Sequence, residues 1–104
     1  MKSIFWTGYC NTGRNIAISE IEKIISTFGF ITDFNRFSDF SLSVSIELEE
    51  RKIDKLYEEL KRYMRLDDFE KLNSTSDMER LIFLNITFLK GTGNLRIEVP
   101  RVPG

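Results

Sequence analysis

The sequence of this chain predicts an α+β fold, and two patterns carry that prediction. Segments in which apolar and polar residues alternate, as in strands, stand on both sides of two segments whose apolar residues recur at helical spacing. The composition, with 41% hydrophobic and 30% charged residues, is that of a globular domain. We therefore expect a single α+β domain over residues 1–104, a common size for one domain.

The first part of the chain predicts a strand, a helix and a second strand. Residues 3–9 are rich in aromatic and β-branched side chains, as strands are. A polar loop then leads to Ser19 and Glu22, which have the spacing of a capping box at a helix N-terminus. We expect this helix to end at Gly29, because glycine adopts the left-handed conformation without strain. The next strand is expected over residues 30–37.

The middle of the chain contains the clearest strand. Residues 40–48 alternate apolar side chains with three serines and a glutamate, which predicts one buried and one polar face. Residues 49–64 carry an apolar stripe at helical spacing and predict the second helix. Residues 66–77 indicate loops around a short apolar piece. Residues 81–89 are apolar on nearly both faces, so we place this strand inside the sheet.

The order of these elements predicts a particular topology. Residues 90–94 are typical of a hairpin turn, and residues 95–99 alternate like an edge strand. The order β-α-β-β-α-β is that of a ferredoxin-like sandwich. We expect an antiparallel sheet with two helices on one face and a C-terminal hairpin extension.

The composition argues against much of enzyme chemistry. The chain has no histidine and one cysteine, Cys10, which removes the commonest general base and any cysteine-rich metal cage. We therefore predict no catalytic residue, no metal and no cofactor, and an inert Cys10 thiol. A lone cysteine favours the reducing cytoplasm. The net charge of −1 argues against nucleic-acid binding, and no apolar run is long enough to span a membrane.

One polar loop is a candidate anion site. It joins the first strand to the first helix and contains glycine, hydroxyl and guanidinium groups, and helix N-termini bind anions. The alternative is a surface loop whose residues only make a turn. The lysine and the spacing of a nucleotide phosphate loop are absent. The candidate residues are Asn11, Thr12, Gly13, Arg14 and Asn15.

The predicted topology is similar to that of the acylphosphatase family. That family uses an arginine from the first strand–helix loop and an asparagine from the sheet. The resemblance implies Arg14 for the arginine and Asn35 or Asn85 for the asparagine. The family's glycine–valine–glutamine–glycine loop and its following phenylalanine–arginine pair are absent. This gives the alternative function: a domain that binds an anion or a phosphorylated small molecule, or an acylphosphatase-like enzyme, using the Arg14 loop.

The favoured hypothesis is a small non-enzymatic interaction module, with a regulatory, assembly or toxin-neutralising role. Its partner would be another protein or a second copy of the chain. The small side chains of Ser41, Ser43 and Ser45 would let a flat surface approach the sheet, and the edge strand with Arg96 and Glu98 would offer unpaired backbone groups. RNA binding is not expected, because the outward face of this strand offers no aromatic ring for stacking.

Overall fold

The structure is a five-stranded sheet with two helices. The computed structural model of the protein describes residues 3–89. The predicted hairpin turn at 90–94 and the edge strand at 95–99 lie outside these residues. In chain order the elements are β1 (Ile4–Cys10), α1 (Arg14–Phe28), β2 (Phe30–Ser38), β3 (Ser41–Glu49), a 3₁₀ turn (Glu50–Lys52), α2 (Ile53–Tyr63), β4 (Arg65–Leu66) and β5 (Glu79–Phe88).

The α+β class is confirmed, but the strand order differs from the ferredoxin-like one. The order is β2-β3-β5-β1-β4, with β1 and β5 parallel and the other pairs antiparallel. The sheet is therefore mixed rather than antiparallel. In a ferredoxin-like sheet the first strand pairs with the third, whereas here β5 separates them. The prediction that this strand lies inside the sheet is confirmed, and its apolar character on both faces suits that central place.

Both helices lie on one face of the sheet and contact each other. Their buried side chains pack against the core-facing residues of the strands. One core row crosses four strands, since Phe34, Val44, Leu84 and Trp6 are register neighbours on β2, β3, β5 and β1. The last three of these side chains are buried. The core therefore lies between the helices and one face of the sheet, and neither α1 nor α2 covers the other face.

Helix α1 begins six residues, or nearly two turns, earlier than the sequence predicts. Gly13 is its N-cap, with no side-chain hydrogen bond, and Ser19 lies inside the helix. The capping-box prediction is therefore wrong. The apolar stripe explains the difference, because Ala17 is fully buried and lies one turn before the buried Ile21. Because alanine is small and only weakly hydrophobic, the apolar stripe is not evident in the sequence at this turn.

Gly29 ends α1 for a reason other than the one predicted. Its φ of −166° is extended backbone, so the expected left-handed conformation is wrong. A Cβ at this position would lie 2.6 Å from the Cβ of Leu48 on β3. Glycine is needed here because the turn between α1 and β2 passes directly against the sheet.

Residues 67–78, which we call the strap, connect β4 to β5 along α2. The Asp54 carboxylate on α2 accepts hydrogen bonds from the backbone N–H groups of Leu72 (2.9 Å) and Asn73 (2.8 Å). The strap's Phe69 ring lies 5.2 Å from the rings of both Trp6 and Tyr57. The segment that reads as loops in the sequence is thus fixed to α2 by hydrogen bonds and by an aromatic cluster.

No helix in the described range, residues 3–89, is long and apolar enough to cross a membrane.

Candidate functional site

The face of the sheet opposite the helices, which we call the open face, carries the three predicted interface serines. Ser41, Ser43 and Ser45 all lie on it. The first two are half-buried, and Ser45 is only 9% exposed. The expectation that Ser45 is exposed is therefore wrong. Because β3 is flanked on both sides by other strands, larger side chains at the same register, such as Phe83, cover the small serine. The other predicted interface residues, Arg96 and Glu98, lie outside the described part of the chain.

An aromatic pair stands on two neighbouring inner strands of the open face. Phe5 of β1 and Phe83 of β5 are register partners, and their rings stack with centroids 5.1 Å apart and planes 21° apart. Phe5 is 69% exposed, and Leu81 continues the apolar surface along β5. We call Phe5, Leu81 and Phe83 the aromatic patch. The expectation that the outward face of β3 offers no ring for stacking is confirmed, since β3 contains no aromatic residue, but the neighbouring strands do place two rings on the same face.

Carboxylates border the aromatic patch. Asp33 of β2, Glu47 of β3 and Glu79 of β5 are exposed and lie on the open face, and we call them the acidic rim. None of the three forms a salt bridge with another residue in the range 3–89. Glu47 is the register neighbour of Leu81, so charge and apolar surface are directly adjacent. The patch and its rim therefore present an apolar centre with a negative border.

The predicted anion-binding loop is shorter than expected and its arginine is engaged. Only Asn11, Thr12 and Gly13 lie between β1 and α1, while Arg14 and Asn15 begin the helix. The guanidinium of Arg14 donates a hydrogen bond to the Ser38 carbonyl (3.2 Å) and lies 3.5 Å from the Asp39 carboxylate.

The Arg14 side chain is only 12% exposed. It therefore joins α1 to the β2–β3 turn. An anion site at this loop stays a prediction, now with an arginine that already has two partners.

The residues implied by the acylphosphatase comparison do not form a common hydrogen-bonded group. Asn35 and Asn85 share one register row of the open face, on either side of Ser43. Asn35 donates to the Asp33 carboxylate at 2.8 Å. Within residues 3–89, no hydrogen bond joins Arg14 to either asparagine. That activity stays a hypothesis.

Cys10 is a fully buried free thiol at the end of β1. Its side chain belongs to the core cluster beneath α1 and α2. Among the residues the structure describes, no group of three or more cysteine, aspartate or glutamate side chains could hold a metal ion. The Asp67, Asp68 and Asp77 carboxylates of the strap thus form no such group.

A cleft of about 560 Å³ opens where β1, the end of α2 and the end of β5 meet. Three cations, Lys61, Arg62 and Arg65, line it, and no carboxylate of the described residues does. We call it the basic cleft. Two of these cations, Lys61 and Arg62, lie in the last turn of α2, and no sequence motif marks the three as a group. The remaining wall consists of Tyr9, Asn11, Tyr63, Met64 and Leu89.

The tyrosine at the back of the basic cleft is in a desolvated position. Burial raises the pKa of Tyr63, and the nearby Thr12 side chain opposes part of that rise. Its hydroxyl therefore stays protonated at neutral pH and is available as a donor. Within residues 3–89 the buried hydroxyl has no hydrogen-bond partner. The polar wall of the cleft combines fixed positive charge with a neutral phenol and the amide of Asn11.

Comparison with known proteins gives no relative: no protein-family model, no curated protein and no solved structure matches the chain. The functional argument therefore depends on the geometry of the open face and the basic cleft.

Proposed function

We propose that the protein is a non-enzymatic interaction module that binds another protein through the aromatic patch of its open face. The observation that carries this proposal is the Phe5–Phe83 stack, since Phe5 is 69% exposed on a face that neither helix covers. Aromatic side chains at the centre of a surface are the usual hot spots of protein interfaces. An exposed apolar patch with a polar border is typical of such an interface.

The acidic rim favours a partner with lysines and arginines around an apolar centre, because opposite charges across an interface are attractive and speed association. A second copy docked face to face would bring two acidic rims close together, and their mutual repulsion disfavours a homodimer. The rim also repels phosphate. Stacking rings alone would suit a single-stranded nucleic acid, but such sites combine the rings with positive charge.

The biological role would be regulatory, in assembly or in neutralising a toxin, since such roles require a surface rather than a reaction. A reducing, cytoplasmic setting belongs to the same proposal, because the lone Cys10 is a free thiol.

The test compares two exposed apolar side chains, one inside the patch and one outside it. The partner is first isolated by copurification with the full chain from its native host, and its dissociation constant is then measured by calorimetry. Phe5→Ser should weaken binding about 30-fold, as expected for a hot spot of about 2 kcal/mol. Ile16→Ser, at a residue 64% exposed on α1, should leave it unchanged.

A charge reversal in the rim tests the choice of partner. Glu47→Lys should weaken binding and reduce its dependence on salt, because it removes one attractive pair and adds a repulsive one. Equal losses for Phe5→Ser and Ile16→Ser would contradict the assignment of the patch. Tighter binding by Glu47→Lys would contradict a basic partner.

A further inference from the structure

We propose that the basic cleft binds a small organic phosphomonoester that carries a planar ring, a ligand in the size class of a mononucleotide. This inference is independent of the protein-binding role. The cleft lies at the Tyr9 end of β1, and the aromatic patch lies about 13 Å away at Phe5, four residues along the same strand.

The charge of the cleft is the first argument. The chain as a whole has a net charge of −1, yet within residues 3–89 three cations and no carboxylate line this cavity. Arg62 is paired with Glu59 at 3.3 Å. Within residues 3–89, the Arg65 side chain makes no ion pair or hydrogen bond, and the ammonium of Lys61 lies over the Tyr57 ring at 5.7 Å. Two cations thus have no carboxylate partner in the described structure.

The helix dipole accounts for only part of this charge. Lys61 and Arg62 lie in the last turn of α2, where cations stabilise the free carbonyl groups. Arg65 lies beyond the helix in β4, opposite Tyr9, so the dipole does not explain its place at the cleft. A phosphomonoester dianion suits the set, because guanidinium groups bind phosphate oxygens in pairs and an ammonium adds a compact charge.

The shape and the apolar wall define the rest of the ligand. A volume of about 560 Å³ exceeds what an inorganic ion fills and lies within the usual range for small-molecule sites, roughly 300–1,000 Å³. The ring of Tyr9 is exposed, and Met64 and Leu89 add apolar surface beside it. Tyr9 thus offers a ring face for stacking, and the Asn11 amide offers a donor and an acceptor.

The test uses three probes on the full chain: adenosine 5′-monophosphate, adenosine and inorganic phosphate. Binding is measured by calorimetry and by backbone amide shifts at low salt. The monophosphate should bind about tenfold or more tightly than either fragment, because only it uses both the cations and the apolar wall. Uridine 5′-monophosphate serves as a second ring and should bind comparably, since stacking tolerates any base.

Variants locate the binding in the cleft. Arg65→Gln and Lys61→Gln should each weaken the monophosphate about tenfold, because each removes one charged contact. Lys55→Gln is the matched control, since Lys55 is exposed on α2 but does not line the cleft. Circular dichroism confirms that each variant is folded.

Three results would overturn the proposal: neither nucleotide binds at millimolar concentration, adenosine binds as tightly as its monophosphate, or Lys55→Gln weakens binding as much as Arg65→Gln. Phe5→Ser should leave nucleotide binding unchanged, so failure here is distinct from failure of the protein-binding role.

Discussion

Two neighbouring residues of β3 should differ sharply in their tolerance of an aspartate. Val44 is fully buried in the core row between Phe34 and Leu84, while Ser43 points to the open face. Val44→Asp removes the burial of a valine, about 1.5–3 kcal/mol, and places an unpaired carboxylate in the core at about 3–5 kcal/mol. The combined loss of about 4.5–8 kcal/mol is comparable to the whole stability of a typical domain.

Urea unfolding at neutral pH measures both effects. Trp6 is the only tryptophan, is buried, and belongs to the same core row, so its fluorescence reports on unfolding. Ser43→Asp should stay within about 0.5 kcal/mol of the native chain. If Val44→Asp does not fold, the milder Ile46→Val tests the same buried face of β3, with an expected loss of about 0.5–1.5 kcal/mol in the free energy of unfolding. Equal tolerance of the aspartates at 43 and 44 would refute the assignment of the two faces.

Three further predictions test other parts of the fold. Gly29→Ala should lower the thermal midpoint through a loss of about 1–3 kcal/mol, since its Cβ would collide with Leu48; an unchanged midpoint would contradict that contact. Hydrogen bonds from Ser74 and then Arg80 lower the pKa of Glu50. Its contribution to stability is therefore complete above the usual pKa of 4.5 and is lost as the pH falls through the lowered pKa. Urea unfolding of Glu50→Gln should lack this part of the loss of stability in acid, and a pH profile identical to that of the native chain would refute the assignment. In a Cys10→Ala background, cysteines at Thr7 and Asn85 should form a disulfide, because neighbouring strands are about 4.8 Å apart, whereas cysteines at Thr7 and Ser43, about 10 Å apart, should not. A disulfide between positions 7 and 43 would restore the ferredoxin-like order.

The sequence locates a strand well where one of its faces is buried. It does not predict which strands pair, because contacts between residues far apart in the chain decide that. The alternation over residues 40–48 locates β3 closely, because a period of two in hydrophobicity indicates a strand with one buried face. The doubly apolar run at 81–89 correctly indicates an inner strand. Its place between β3 and β1 depends on contacts between segments far apart in the chain, and no local pattern encodes that choice.

The aromatic patch was missed because β1 has two adjacent aromatic residues, one on each face. Alternation alone does not tell whether Phe5 or Trp6 faces the core. The structure supplies the reason: Gly8, on the same face as Trp6, lies so close to the end of α2 that a Cβ there would be 2.7 Å from the sulfur of Met64. The helix therefore covers the even-numbered positions of β1 and leaves Phe5 outside.

The basic cleft was missed for a related reason. The sequence places Lys61 and Arg62 at a helix end, but Tyr9 and Asn11 lie some fifty residues earlier in the chain. Only the pairing of β4 with β1 brings Arg65 beside Tyr9. The strap was likewise read as loops because its hydrogen-bond partner, Asp54, is distant in sequence from Leu72.

The central claim is that the aromatic patch is the surface that meets another protein. Site-specific photo-crosslinking tests it most directly, with a benzophenone amino acid at position 5 in one full-length variant and at position 16 in another. Both positions are exposed apolar residues, on the open face and on α1 respectively. We expect one basic protein from the native host to be captured at position 5 and not at position 16, with the Glu47→Lys variant capturing it less. Capture of the same proteins at both positions, or at position 16 alone, would contradict the account.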